Sequence, residues 1–131
     1  MQMLKYAIAG MLALGSPGGQ AFAQPAEPAA QKAPESHLVV FNRLGPNFAK
    51  LKELRNEAIA HRDLYLRLAA EGKIIAGGAM TGQPVLGLSI FASDVDRDQI
   101  RSMIENDPGV KAGIVEIEFR EWQLQMGSLK K

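Results

Sequence analysis

The stretch that decides the fold runs from Asn47 to Met80 and reads NFAKLKELRNEAIAHRDLYLRLAAEGKIIAGGAM. Its first part predicts one long amphipathic helix, because apolar residues recur at the three- and four-residue steps of one helical face: Leu51, Leu54, Ala58, Leu64, Tyr65 and Leu68. Gly72 supplies a left-handed residue that ends the helix. The segment IIAGGAM, at 74–80, then has the pattern of a short buried strand.

One titratable side chain, His61, lies within the apolar face of this helix. An imidazole titrates near neutral pH and can both take and return a proton, so its place among leucines indicates a candidate catalytic group. The alternative is a core histidine that bonds a carbonyl and serves packing. Two functional classes follow. The chain is either an exported enzyme that uses His61 as general acid or base, or a homodimer that binds a small ligand without turnover.

The N-terminus predicts a cleaved leader. Residues 1–6 carry one lysine, 7–14 are apolar, and AFA at 21–23 has the small-x-small pattern of a signal-peptidase site. We therefore expect cleavage between Ala23 and Gln24 and a periplasmic or secreted protein. The apolar run is far shorter than the ~20 residues that span a bilayer, so no membrane anchor is expected.

The composition limits the function classes that remain. Removing the leader from the 131 residues leaves 108, which is enough for one domain. Lys5 is the only charged residue removed, so the remaining chain has 14 basic and 14 acidic residues. A balanced chain has no electrostatic footprint for nucleic acid. The chain has two histidines and no cysteine, so it forms no disulfide and offers no zinc-ligand spacing. No metal site and no cofactor motif is predicted.

The order of segments after the leader begins with QPAEPAAQKAPES at 24–36, which holds three prolines and nothing large and apolar. It predicts a flexible tether. We expect the folded domain to span 37–124 and a C-terminal tail to follow at 125–131. HLVVFNRL, at 37–44, has the β-branched and aromatic residues of a strand, and Asn47 is expected to cap the long helix.

Three further elements follow the central stretch. The apolar runs 74–80 and 85–92 are joined by a tight turn at 81–84, which predicts an antiparallel hairpin. Asp96, with Gln99 three residues later, resembles a capping box that opens a second helix. The sequence NDPG is expected to end that helix, because proline cannot continue it.

The last strand, about 113–124, alternates between two faces. One face carries Val115, Ile117 and Phe119, and the other Glu116, Glu118, Arg120 and Trp122. The order is thus β-α-β-β-α-β, which predicts an α+β, ferredoxin-like fold with two helices on one face of a four-stranded antiparallel sheet. Several strands are apolar on both faces, so a second copy is expected to pack sheet against sheet as a homodimer.

Two segments carry a resemblance: AHRDLYLRLAAEGKIIAGGAM at 60–80, and NDPGVKAGIVEIEFREW at 106–122. Together they resemble the YCII (YciI-like) family of dimeric α+β-barrel proteins, over about 37–124. The D-P-x-V-x-A-G part of the second segment is the more specific, since it joins a helix stop to a strand start. The chain departs from the family pattern at Ala79, where proline commonly stands, and in its short turn at 81–84.

The resemblance implies a pocket between helix and sheet in which His61 pairs with an aspartate, carried over here to Asp107, as an acid–base pair. Related proteins remove chloride from a hydroxylated aromatic ring, and muconolactone isomerases share the architecture. Elimination, isomerisation or lactone chemistry on a small organic molecule is therefore expected. Read from the residues alone, Asp107 has a structural alternative, since aspartate favours helix caps and turns before proline.

Three residues are candidate ligand-binding groups: Tyr65, Gly78 and Arg120. Tyr65 stands one turn after the helix histidine and could bond a ligand oxygen, and its alternative is packing with the hydroxyl at the surface. Gly78 allows close approach of a ligand to a strand. Arg120 has an alternative role at a dimer interface. His37 is expected to be solvated at the end of the tether.

Overall fold

A computed structural model describes residues 33 to 129 of the chain. The predicted leader and most of the predicted tether lie outside the described residues. The strands are β1 (Ser36–Leu44), β2 (Ile74–Met80), β3 (Leu86–Phe91) and β4 (Val115–Gln123). The helices are α1 (Arg55–Ala70), α2 (Arg97–Glu105) and α3 (Pro108–Lys111), and a short 3-10 helix (Phe48–Lys50) precedes α1.

The four strands form one antiparallel sheet in the order β2-β3-β1-β4. This is the ferredoxin-like arrangement, and the predicted α+β fold is confirmed. The predicted hairpin is also present, with Gly78 of β2 opposite Leu88 of β3. The helices cover one face of the sheet, and the other face, called here the outer face, carries none of them.

The core lies between α1, α2 and the helix-covered face of the sheet. It is formed by buried apolar side chains from both layers: Leu38, Val40, Leu64, Leu68, Ile74, Phe91, Ile100 and Ile104. Alternation along β1 explains the division between faces, because Leu38 and Val40 point to the helices while Val39 and Phe41 point to the outer face.

The predicted start of the long helix is wrong. Asn47 does not cap it, because its side-chain Nδ2 donates to the carbonyl of Ala112 at 2.9 Å and its backbone N–H donates to the carbonyl of Gly113 at 2.8 Å. The segment that follows forms a 3-10 helix and turns, and α1 begins at Arg55. The predicted apolar face is buried only in its second half, since Leu51 is 38% exposed.

The second helix begins as predicted, with the Asp96 carboxylate accepting from the backbone N–H of Gln99 at 3.1 Å. It also ends before the proline, at Glu105. Pro108 then opens α3, which the sequence analysis did not predict. Proline suits this first helical position, because its missing N–H would have no partner there and its φ is already helical.

The domain begins slightly earlier than expected. β1 starts at Ser36, and the carbonyl of Glu35 accepts from the backbone N–H of Leu124 at 2.9 Å. The Glu35 carboxylate also accepts from the Ser128 hydroxyl at 2.6 Å and from the backbone N–H of Leu129 at 3.1 Å. Glu35 therefore joins the start of the domain to the C-terminal segment.

Candidate active site

A cavity of about 350 Å³ lies between α1 and the helix-covered side of β1, β3 and β2. It is called here the α1 cavity, and it is lined by Asn42, His61, Arg62, Tyr65, Leu66, Ala69, Ile74, Gly77, Gly78, Gly87, Leu88 and Ser89. The glycines account for much of the space. Gly87 stands opposite Asn42 in the sheet, and a methyl group there would already touch the Asn42 Cβ at 3.4 Å.

His61 lies in α1 at the edge of this cavity, with a side chain that is 20% exposed. Its Nδ1 is 2.5 Å from Oδ2 of Asp107. A carboxylate oxygen accepts, so Nδ1 donates and the proton of the neutral ring stands on that nitrogen. Nε2 has no protein partner among residues 33–129, and its lone pair remains for a bound molecule.

Asp107 lies behind the histidine, with its side chain fully buried. It is the N-cap of α3, and its Oδ1 accepts from the backbone N–H of Gly109 at 3.1 Å. The carboxylate therefore has both of the roles that the sequence suggested: one oxygen caps the start of α3, and the other accepts from the His61 ring. A buried carboxylate bonded in this way fixes the tautomer of the imidazole and stabilises its protonated form.

Gly109 packs directly against the histidine. An ideal Cβ at this position would lie 2.8 Å from Cβ, 3.0 Å from Cγ and 3.1 Å from Nδ1 of His61. Real Cβ atoms do not approach other heavy atoms as closely as 2.8 Å, so no larger residue fits without moving α1 or α3. The sequence analysis missed this role, and the spacing of Gly109 from its partner, 48 positions along the chain, left no local signal for it.

Tyr65 lies one turn after His61, and the two ring centroids are 4.8 Å apart with the planes tilted by 53°. Its hydroxyl donates to Oδ1 of Asn42 at 3.4 Å. Burial raises the pKa of Tyr65 to about 12, the hydrogen bond with Asn42 acts in the opposite direction, and the negative charge of Asp107 adds to the increase. The phenol is therefore neutral at physiological pH, and its hydroxyl points to a polar side chain inside the fold.

The structure brings His61, Tyr65 and Gly78 to one cavity and places Asp107 behind it. It does not bring Arg120 there. Arg120 lies on the outer face, where it pairs with Glu118 beside Arg43, whose guanidinium is 2.7 Å from the same carboxylate. These arginines, Arg43 first, lower the pKa of Glu118.

The outer face carries a larger groove, of about 500 Å³. Along β1 and β3 its lining is apolar except for Arg43, and along β4 it is charged or aromatic. The apolar residues are Val39, Phe41, Leu86 and Leu88. Neither member of the His61–Asp107 pair reaches it. The smaller α1 cavity is thus the one that combines space with a histidine whose second nitrogen is open to a ligand.

Asn42 is a polar cavity residue that the sequence analysis did not select. It follows Leu38 and Val40 on the helix-covered side of β1, both fully buried, at a position where the alternation calls for another apolar side chain. That interruption is the signal by which it could have been found. It resembles the signal that identified His61 on α1.

His37 is not solvated, and that prediction is wrong. The residue is 1% exposed, its Nδ1 donates to the carbonyl of Phe91 at 2.7 Å, and its Nε2 is 2.6 Å from Oε2 of Glu35. Both ring nitrogens have protein partners. His37 therefore matches the structural role that the sequence analysis weighed for His61.

The part of the chain that the structure describes contains no group of three or more His, Cys, Asp or Glu side chains placed to hold a metal ion. Over the same 97 residues, 33 to 129, no helix has the length and hydropathy required to cross a membrane. Comparison of the chain with family models, with curated proteins and with solved structures finds no match.

Proposed function

We propose that this protein is an acid–base enzyme that acts on a small organic molecule in the α1 cavity, by elimination, isomerisation or lactone chemistry. One observation carries the proposal. The buried Asp107 carboxylate holds Nδ1 of His61 at 2.5 Å, while Nε2 of the same ring has no protein partner among residues 33–129, and His61 is one of the residues that line the α1 cavity. A packing histidine has no need of this arrangement.

The proposed chemistry follows from the tautomer. With its proton on Nδ1, the neutral His61 ring offers the lone pair of Nε2 as a general base. Taking a proton from substrate carbon makes the ring an imidazolium, and the buried Asp107 carboxylate stabilises that charge. Nε2 can then return the proton to another carbon, which is isomerisation, or a leaving group can depart from the substrate, which is elimination.

The cavity limits what can bind. Its volume of about 350 Å³ suits a molecule of one ring or a short chain. The glycines on β2 and β3 and the neighbouring Leu66, Ala69 and Ile74 make most of the lining apolar. The polar groups are few: His61, Asn42, Tyr65 and Ser89 inside, and the exposed guanidinium of Arg62 at the edge.

Two probes test the proposal without knowledge of the natural substrate. The first is 5-nitrobenzisoxazole, whose isoxazole ring opens when a base removes the proton on its C3 carbon and the N–O bond breaks to release a coloured phenolate. The second is α-angelica lactone, which isomerises when a proton is moved from its α to its γ carbon. The full chain is expected to accelerate at least one reaction, and His61→Asn to lose that acceleration by about 100-fold or more.

Asp107→Asn is the matched second variant. It keeps an oxygen to accept from the Gly109 N–H, so α3 keeps its cap, while the negative charge beside His61 is lost. Turnover is expected to fall with little loss of stability. If the full chain and His61→Asn are equally inactive on both probes, the proposal fails. If small molecules nevertheless bind in the cavity, the alternative of a non-catalytic ligand-binding dimer replaces it.

The assembly proposed with this function is a homodimer joined through the outer face. Support comes from the apolar row Val39, Phe41, Leu86 and Leu88, which no helix of the described chain covers. Arg43, Glu118 and Arg120 beside it offer both charge signs to a second copy. Sedimentation at micromolar concentration is expected to give twice the monomer mass, and Phe41→Glu to give the monomer.

Membership of the YCII family and export are proposed on separate grounds. The βαββαβ order and the direct contact between His61 and Asp107 agree with what the family resemblance implies. Export rests on the leader pattern at 1–23 alone. Mass spectrometry of the protein from its own cells tests it, since cleavage after Ala23 would leave Gln24 as the first residue.

A further inference from the structure

A second polar group faces the same cavity from the opposite wall. Asn42 lies on β1, under α1, and its Oδ1 accepts from the Tyr65 hydroxyl at 3.4 Å. With Oδ1 bonded to the Tyr65 hydroxyl, the amide nitrogen Nδ2 is the polar atom of this side chain that is left to donate. Nδ2 has no acceptor within the part of the chain that the structure describes. The amide therefore offers two N–H donors to a bound molecule.

Tyr65 connects this amide to the histidine. Its ring lies against the His61 ring, with centroids 4.8 Å apart, and its hydroxyl bonds Asn42. The phenol is neutral and its proton is already donated, so it orients the amide rather than supplying charge. The cavity thus carries a proton acceptor, Nε2 of His61, on the helix and a pair of proton donors, Nδ2 of Asn42, on the sheet.

Apart from Tyr65, Ser89 and Arg62, the lining around the two groups is apolar or glycine. Gly87, next to Asn42 in the sheet, keeps the space beside the amide open. In such surroundings N–H donors that are already oriented stabilise developing negative charge far more than water does. A base on one side and oriented donors on the other suit a substrate that carries an acidic C–H next to an oxygen able to accept the charge.

We infer that Asn42 binds the substrate's carbonyl oxygen and stabilises it as an oxyanion, and that the substrate class is a small carbonyl compound with an acidic α-proton, such as an unsaturated lactone or an enone. The inference rests on the proposed function, since it assigns the second half of the reaction that His61 begins. It narrows elimination, isomerisation and lactone chemistry to reactions that pass through an enolate.

The step balances without any co-reactant. Nε2 of His61 takes the proton from the carbon next to the carbonyl, the electron pair of that C–H bond forms a new C=C bond, and the carbonyl π pair moves to the oxygen held by Asn42. When Nε2 returns the proton at the γ carbon, the C=O bond re-forms and the double bond has moved into conjugation. Nothing is oxidised or reduced, and His61 ends neutral.

The two probes introduced above separate this inference from the proposed function. α-Angelica lactone requires an oxyanion to form at its carbonyl, whereas 5-nitrobenzisoxazole has no carbonyl and releases a phenolate that its nitro group already stabilises. Asn42→Asp keeps an acceptor for the Tyr65 hydroxyl but removes the N–H donors, and Asn42→Leu removes all polar function at similar size. Asn56→Leu is the matched control, because Asn56 is exposed on α1 and does not line the cavity.

Both Asn42 variants are expected to lose lactone isomerisation by about 100-fold, in kcat rather than KM, while ring opening of 5-nitrobenzisoxazole is little changed. Asn56→Leu is expected to keep both activities. Unchanged ring opening shows that the variants are folded and the base intact. Full lactone turnover by the Asn42 variants overturns the inference. A full chain that opens 5-nitrobenzisoxazole through His61 but leaves the lactone unreacted also overturns it, with the proposed function intact. Inactivity on both probes removes both proposals.

Discussion

Replacing Gly109 by alanine tests the geometry of the His61–Asp107 pair most directly. Two effects oppose each other. Alanine is favoured over glycine inside a helix by about 1 kcal/mol, and Gly109 is helical, so propensity alone predicts a more stable protein. The added methyl, however, would stand 2.8 Å from Cβ of His61, an atom fixed to the α1 backbone that no rotamer change can move away.

The contact is expected to outweigh the propensity. Overpacking of a filled interior costs about 1–3 kcal/mol, because the surrounding structure must shift by tenths of an ångström. Gly109 is buried within α3, which packs against α1. We therefore expect a net loss of about 1–2 kcal/mol of unfolding free energy. The methyl also approaches Nδ1 of His61, so the 2.5 Å bond to Asp107 should lengthen.

The assay combines urea unfolding with NMR of the imidazole nitrogens. The chain has two histidines, His37 and His61, and the His61→Asn spectrum assigns the signals. In the parent the Nδ1–H tautomer of His61 is expected, and in Gly109→Ala its signals should shift while those of His37 stay in place. Gly78→Ala is the matched control, since a Cβ there meets nothing within 4 Å and stability should change by less than about 1 kcal/mol.

If Gly109→Ala is as stable as Gly78→Ala, or more stable than the parent, the contact between α3 and His61 is looser than the structure gives. Unchanged His61 signals would lead to the same conclusion. The 2.5 Å bond to Asp107 would then no longer support a fixed tautomer, and the argument for a general base at Nε2 would lose its main observation.

Three further predictions concern other groups. Burial raises the pKa of Tyr65 to about 12, so the phenolate absorbance at 295 nm that disappears in Tyr65→Phe should titrate near pH 12 in the folded chain and near pH 10 in urea. The stability due to the neutral phenol is therefore full below pH 10 and is lost as pH rises through 12. A midpoint near pH 10 in the folded chain would place the hydroxyl at the surface. Hydrogen bonds from the Ser128 hydroxyl, first, and from the His37 imidazole lower the pKa of Glu35 to about 2. The difference in unfolding free energy between the parent and Glu35→Gln, measured in urea, should therefore be full above pH 4.5 and disappear as pH falls through 2. A difference that does not change with pH would contradict this. Asp96→Ala should lower the unfolding free energy by about 1 kcal/mol through loss of the α2 cap, and no loss would mean that water replaces the cap.

The elements that could be predicted from the sequence are those whose signal is local. β1, the hairpin of β2 and β3, and β4 follow from runs of β-branched and alternating residues, and α2 from its cap at Asp96. The start of α1 could not be predicted in this way. Asn47 is a good capping residue, but its side chain and backbone are bonded to the loop before β4, so tertiary contacts decide how that segment folds.

The residues of the candidate site also differ in whether a local sequence signal or only a tertiary contact identifies them. A polar residue in an apolar pattern indicated His61, and the same test applied to β1 would have indicated Asn42. The contact between His61 and Asp107 joins positions 46 apart, and only the family resemblance placed them together. Gly109 gave no signal, because the sequence cannot show which side chain a glycine leaves room for.

The two histidines of this chain differ in the partners of their ring nitrogens, and the proposal of a general base at His61 rests on that difference. Position in the sequence suggested that His37 is solvated and that His61 is enclosed by apolar neighbours, whereas His37 is the more buried of the two. The difference lies in the ring nitrogens. Both nitrogens of His37 have protein partners, so a proton cannot be exchanged with a ligand without breaking a bond of the fold. His61 has one nitrogen held by a buried carboxylate and one left to a cavity, so it can exchange a proton while the fold stays as it is. Burial alone would point to His37, whereas the count of bonded ring nitrogens supports the proposal that His61 is the general base.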